Sequence, residues 1–181
     1  SAGGDLCIPG TLDSTVVSGK IVLCRRGAVG RAEKSLAVQQ AGGAGMILYN
    51  NSNDDNLFTD THAVPSVHVD LDEGIVVKGY ISSSSDPKAE ISTGKTTRWK
   101  TAPTMTLFSS RGPDPVAEDI IKPDITAPGL QILAGNSPFP DPGGVTGELF
   151  QAIAGTSMSS PHVAGLFALL KQVRPDWTPA M

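Results

Sequence analysis

The residue whose type and position best suit it to chemistry is Ser157, in the stretch AGTSMSSPHVAG at 154–165. Glycine precedes this serine and helical periodicity follows it, so we expect the serine at the N-terminus of a helix. Unpaired backbone N–H groups and the positive end of the helix dipole would stabilise an oxyanion there. The position therefore favours acyl transfer with Ser157 as the nucleophile. A structural alternative stays open, because a serine at a helix start commonly serves as the N-cap.

A serine nucleophile needs a general base, and histidine is the usual one. His162 follows Ser157 by five residues, about one and a half helical turns, and is predicted to point away from the hydroxyl. His62 and His68 lie on or beside a predicted strand far earlier in the chain. Two aspartates are interpreted as carboxylates that shape loops rather than as a catalytic acid: Asp114 and Asp124. Without a base, the isolated chain is not expected to catalyse acyl transfer.

The elements of the first half alternate between strands and helices. Apolar runs bounded by glycine and asparagine predict three strands, at 18–27, 43–51 and 63–70. Helical spacing predicts a helix between the first two strands, with Gly42 as its stop. A second helix is predicted after the third strand, where Asp70 and Glu73 resemble an acidic capping box, and one more alternating run follows at 89–99. The predicted fold class is α/β.

The second half is punctuated by proline and glycine between short apolar runs. Strands are predicted at 124–126 and 149–154, and a helix follows the second of them. With Met158 as the first helical residue, Pro161 would be the fourth, where its missing N–H costs no hydrogen bond. An apolar face of this helix would lack partner strands, and we expect it to cause dimerisation, swapping or disorder. That face is centred on Val163, Phe167 and Leu170.

Composition excludes some classes of function. The 181 residues are 39% hydrophobic, enough to bury a core, and carry a formal net charge of −4. No basic field is available for nucleic acid, and no apolar run approaches the roughly 20 residues that span a bilayer. The chain starts without Met or a signal segment and stops where a new helix would begin, so we expect an internal piece of a longer protein.

Two cysteines, Cys7 and Cys24, lie near the N-terminus. Their spacing is compatible with two independent buried thiols and with a disulfide. A bridge would close a short loop, contribute about 3 kcal/mol and imply an oxidising compartment. A metal site is disfavoured, because His62 and His68 are few and distant in sequence. The residues alone leave the first two alternatives open.

The segment GTSMSSPHVAG resembles the nucleophile segment of the subtilisin-like serine proteases, the subtilases, at all of its positions. FSSRGP at 108–113 and KPDITAPG at 122–129 resemble two further subtilase segments in the same order. This resemblance implies that Ser157 is the nucleophile and that its N–H forms half of the oxyanion hole. It implies that His162 is a packing residue. It also implies that the triad Asp and His and the oxyanion Asn precede residue 1.

The first half is similar to the protease-associated (PA) domain that many secreted subtilases carry as an insertion. GKIVLCRRG, AVQQAGGAGMILYN and AVPSVHV match the pattern of that insertion. The resemblance therefore implies a PA domain at 1–99 and the C-terminal part of a peptidase domain at 100–181. It also implies a disulfide between Cys7 and Cys24, because members of the group carry one in the PA domain.

The function implied is that of a segment of a secreted subtilisin-like endopeptidase. Its expected partners are a protein or peptide substrate, the remainder of the catalytic domain and a second copy in a homodimer, with neither nucleic acid nor a membrane among them. No cofactor is expected, and calcium in the parent enzyme is not assignable to residues of this chain. The PA domain would control substrate access, select substrates or bind proteins.

Two alternative functions bear on this interpretation. The chain could be a non-catalytic PA interaction module with a remnant of a catalytic domain. A lipase or esterase of the α/β-hydrolase type would need Gly-x-Ser-x-Gly, whereas residues 155–159 are GTSMS. Finally, Asn50 begins an N-glycosylation sequon, NNS, on a predicted loop.

Overall fold

The computed structural model describes residues 3–53, 56–96, 103–117, 119–139 and 147–181. Its mixture of helices with a parallel sheet confirms the α/β class. The first half contains a short 3-10 helix, Gly4–Leu6, and six further elements in the order α1 Ser14–Val17, β1 Ile21–Arg25, α2 Arg31–Gln40, β2 Gly45–Tyr49, β3 Ser66–Val69 and α3 Leu71–Ser83. The second half contains β4 Ile132–Gly135, β5 Phe150–Ile153 and α4 Thr156–Val173.

The first sheet is parallel, with the strand order β1-β2-β3. Val22 pairs with Met46, and Met46 pairs with Ser66, so β2 is the central strand. Parallel neighbours need crossovers, and α2 supplies the one between β1 and β2. Gly42 ends this crossover with a φ of +81°, a left-handed conformation that suits glycine, which confirms the predicted stop.

The core lies against the central strand. Five buried residues form it: Cys7, Cys24, Val38, Met46 and Leu48. The Cys7–Cys24 disulfide is formed, with the two Cα atoms 5.6 Å apart, which confirms the pairing that the resemblance implied. It joins the N-terminal segment to β1.

A buried lysine holds the same N-terminal segment. The Lys34 side chain is fully buried, and its Nζ donates hydrogen bonds to the carbonyls of Leu6 and Gly27. Burial lowers the pKa of Lys34 to about 8, although Glu33 and Asp5 act in the opposite direction. The ammonium thus satisfies two loop carbonyls that would otherwise be costly to enclose.

Some predicted elements are absent or differ in detail. The run at 124–126 forms no strand. The alternating run predicted at 89–99 also forms no strand over its described part, 89–96, and its last three residues lie outside the described residues. Asp70 does occupy the N-cap of α3, but its side chain makes no capping hydrogen bond. The predicted domain boundary at 99–100 also lies outside the described residues.

Candidate active site

The serine segment begins where a strand ends. β5 pairs antiparallel with β4, and Gly155 follows β5 as the N-cap of α4. Ser157 is consequently the second residue of α4, at the helix N-terminus that the sequence predicted. The alternative that Ser157 is the N-cap is wrong, because Gly155 occupies the N-cap position.

The Ser157 side chain is accessible. The residue is exposed, and its hydroxyl makes no hydrogen bond to any residue that the structure describes. Within the same described residues its backbone N–H also has no acceptor, whereas the Met158 N–H donates to the Gly155 carbonyl at 3.0 Å. A hydroxyl beside an unpaired amide at a helix N-terminus is the arrangement that an oxyanion requires.

Pro161 lies deeper in the helix than predicted. The helix begins at Thr156 rather than at Met158, so Pro161 is its sixth residue. A proline there removes the N–H that would bond to the carbonyl four residues earlier, which belongs to Ser157. The prediction that Pro161 costs no hydrogen bond is therefore wrong, because the start of the helix was placed two residues too late.

None of the three histidines hydrogen-bonds to Ser157 among the described residues. The Nδ1 of His162 lies 2.8 Å from the Met158 carbonyl, one turn back on the same helix. The ring is exposed, which differs from the packing role that the resemblance implied. His62 and His68 lie beside and within β3, as predicted. The chain therefore presents a candidate nucleophile without its base.

The two aspartates of the second half do shape loops. The Asp114 carboxylate accepts the N–H groups of Val116 and Ala117 at 2.8 and 3.0 Å, and these bonds lower the pKa of Asp114. Asp124 pairs with Lys122 at 2.6 Å, which lowers the pKa of Asp124. Both carboxylates are occupied in this way, which agrees with the sequence-based interpretation.

A large groove lies beside the start of α4. Its volume is about 1270 Å³, and its walls are the loops at 103–115 and 122–130 and one side of the first turns of α4. The helix contributes Thr156, Ser159, Ser160 and Val163. The two loops carry the FSSRGP and KPDITAPG segments, so the structure gathers all three segments that resemble subtilases around one cavity.

A polar cluster that was not predicted from the sequence lies where the parallel strands β2 and β3 end, and it consists of His68, Asn50 and the Phe58 backbone. The Nε2 of His68 lies 2.8 Å from Oδ1 of Asn50, and Nδ1 accepts the Phe58 N–H at 3.0 Å. His68 is therefore neutral, with its proton on Nε2. Burial lowers the pKa of His68, and the cations Arg31 and Arg26 act in the same direction, whereas the Phe58 carbonyl, 3.3 Å from Nδ1, acts against them. The signal available in sequence was the position of these polar residues at the ends of adjacent strands.

Asn50 is not on an exposed loop. It follows β2, is fully buried, and donates its backbone N–H to the Val69 carbonyl at 3.1 Å. An N-linked glycan would be attached to Nδ2 of this fully buried side chain, whose Oδ1 is held by His68 and Arg26, and it would have no path to solvent. The expectation of an accessible sequon on a loop is wrong. Two consecutive asparagines favour a turn, but the hydrogen bonding between β2 and β3 continues one residue past β2, to Asn50.

The comparison with known proteins follows the same segments. Residues 27–181 match the profile of the subtilase family. The subtilisin-like protease SBT1.7 of Arabidopsis thaliana is 42% identical over 186 residues, which cover 99% of this chain and 25% of that protein. SBT1.4 of the same plant is 45% identical over 185 residues, with 98% and 24% covered. The chain belongs to the subtilase family.

The chain spans about a quarter of the length of these curated relatives. Within the described residues there is no cluster of three or more His, Cys, Asp or Glu side chains arranged to hold a metal ion. No helix among the described residues is both long enough and apolar enough to cross a membrane.

Proposed function

We propose that this chain is a segment of a secreted subtilisin-like serine endopeptidase. Ser157 attacks the scissile carbonyl, and its own N–H at the start of α4 receives part of the negative charge on the oxyanion. A His and an Asp elsewhere in the longer protein supply the base and its orienting acid. The single observation that supports this most is the exposed, unbonded hydroxyl of Ser157 beside an unpaired amide.

Residues 1–99 act as a PA domain in this proposal, and residues 100–181 complete a peptidase domain. Hydrogen bonds join the two parts: the Leu107 N–H donates to Asn56 at 3.3 Å, and Gln131 donates to Thr59 at 2.6 Å. These contacts place the loop at 56–62 against the part that carries Ser157. A PA domain attached in this way is suited to controlling access of a protein or peptide substrate. The disulfide supports an oxidising, extracellular location.

The decisive experiment uses a fluorophosphonate probe, which reacts with a serine only when base and acid are assembled around it. In the longer protein we expect labelling at Ser157, and Ser157→Ala should abolish labelling and lower kcat by about six orders of magnitude. Ser83→Ala is the matched control, since Ser83 lies on α3 and outside the groove and should leave both measurements unchanged. The isolated 181-residue chain should not be labelled.

A longer protein that binds peptides and is not labelled would contradict this proposal. That result would favour the second candidate, a PA interaction module with a catalytic remnant.

A further inference from the structure

Gly129 lies directly against the start of the serine helix. Its carbonyl accepts the Gly155 N–H at 2.8 Å. It is also the one buried residue in the described ranges 103–117, 119–139 and 147–181. Gly129 is therefore enclosed where its own loop and the start of α4 are in close contact.

There is no room for a side chain at this position. A Cβ atom on Gly129 would lie 2.3 Å from Oγ of Ser159 and 2.8 Å from the carbonyl oxygen of Gly155. The Ser159 hydroxyl can rotate out of the way, but the Gly155 carbonyl belongs to the backbone and can move only with its peptide group. The backbone contact is therefore the one that excludes a Cβ.

The Gly155 peptide determines where the first turn of α4 begins. Its N–H bonds to Gly129, and its carbonyl accepts the Met158 N–H at 3.0 Å. Ser157 lies between these two anchors. The bond to Gly129 lies just beyond the β4–β5 ladder, whose last pair on this side is Ile132 with Ile153. A displacement of Gly155 would thus be transmitted to Ser157.

We propose that Gly129 is a positioning residue for Ser157: its lack of a side chain lets the loop at 126–131 hold the Gly155 peptide, and through it the nucleophile and its N–H, in the reactive orientation. This inference rests on the proposed function of Ser157. Gly129 itself does not touch the reacting atoms.

The test is Gly129→Ala in the longer protein. A shift of the nucleophile by a fraction of an ångström disturbs attack more than binding, so we expect kcat to fall by about 10- to 100-fold while KM changes less than about threefold. Fluorophosphonate labelling should slow by the same factor as kcat and still reach the same final extent. A variant with unchanged kcat, or with KM raised and kcat retained, would overturn the proposal.

Two further variants separate positioning from general damage. Gly135→Ala is the matched control, because Gly135 lies on β4 with no atom within 4 Å of its Cβ position, and kcat should stay unchanged. Gly129→Ala combined with Ser159→Ala should remain slow, because the clash with the Gly155 carbonyl persists. Full recovery in the double variant would overturn the proposal, since it would show that only the Ser159 hydroxyl was displaced.

Failure of the two proposals can be told apart. If the wild-type protein is not labelled, the proposed function fails, and the positioning role, which rests on it, fails with it. If the wild type is labelled, Ser157→Ala is not, and Gly129→Ala behaves as wild type, the positioning role alone fails.

If Gly129→Ala does not fold, hydrogen exchange of the wild-type protein still decides the question. The bond to Gly129 should protect the Gly155 amide by at least about 100-fold, and an unprotected amide would overturn the proposal.

Discussion

At the scale of single residues, His68 organises a hydrogen-bond network of its own and makes no bond to Ser157 within the described part of the chain. His68 accepts one hydrogen bond and donates another, which only the neutral ring can do. A second proton on Nδ1 would turn its acceptor into a donor and leave the Phe58 N–H without its partner. Arg26 and Arg31, which stack on the Phe58 ring at 5.3 and 4.3 Å, oppose that proton, whereas the Phe58 carbonyl, 3.3 Å from Nδ1, and Asp60 favour it.

We predict that acid loosens the loop at 56–62. The pKa of His68 is lowered in the fold, so the stability linked to its neutral form is present at and above the ordinary histidine pKa and is lost as pH falls through the lowered value. Hydrogen exchange of the Phe58 amide, corrected for its intrinsic rate, should accelerate as the pH falls below about 6.5, the ordinary histidine pKa.

The Gly43 amide serves as the control for this experiment, since it bonds to the Val38 carbonyl at 2.8 Å without a histidine. His68→Gln should remove the pH dependence at Phe58. Equal acceleration of both amides would contradict the prediction.

At the scale of elements, glycine decides how closely α3 approaches the sheet. Gly74 is buried on α3, and a Cβ there would lie 2.3 Å from Cβ and Cγ of Tyr49 on β2. Gly79 lies on the same helix with no atom within 4 Å of its Cβ position. One glycine is thus required by packing, and the other only weakens the helix.

Alanine should therefore have opposite effects at these two positions. Gly74→Ala should lower the free energy of unfolding by about 1–3 kcal/mol through overpacking against Tyr49. Gly79→Ala should raise it by about 0.5–1 kcal/mol through helix propensity. Urea unfolding of the 181-residue chain, followed by circular dichroism, measures both. The same sign at both positions would rule out this account of α3 packing.

Sequence predicted the elements with strong local signals and failed where the signal was weak. Strands β1, β2 and β3 combine apolar runs with glycine boundaries, and all three were found. The start of α4 was misplaced because its N-cap, Gly155, has no side chain that marks a helix start. The role of Gly129 was missed because it depends on a contact with residues 26 and 30 positions away in sequence, which local patterns do not encode.

At the scale of the whole molecule, the two halves differ in how well they are enclosed. Every buried hydrophobic residue among those described lies between Cys7 and Tyr49. The α4 helix, in contrast, exposes large apolar side chains by 38–73%: Leu166, Phe167, Leu169, Leu170 and Val173. Of the predicted apolar face, Phe167 and Leu170 are uncovered in this chain, whereas Val163 is half-buried and lines the groove. Association through this face stays a prediction.

We expect the isolated 181-residue chain to self-associate through this face. Sedimentation velocity should detect species larger than a monomer, and Phe167→Glu with Leu170→Glu should shift the distribution towards the monomer. Val116→Glu is the control, because Val116 is 93% exposed and lies on a loop rather than on α4. A monomeric wild type in which all amides of 150–175 resist exchange would contradict the expectation.

The buried position of Asn50 has a consequence for biosynthesis. Oligosaccharyltransferase in the endoplasmic reticulum acts on sequons of nascent chains, and NNS at 50–52 meets its requirement in the unfolded state. In the folded chain the Asn50 amide is held by His68 within the sheet and cannot reach the enzyme. In a chain made in that compartment, pairing of β2 with β3 before the sugar is transferred would keep Asn50 unmodified.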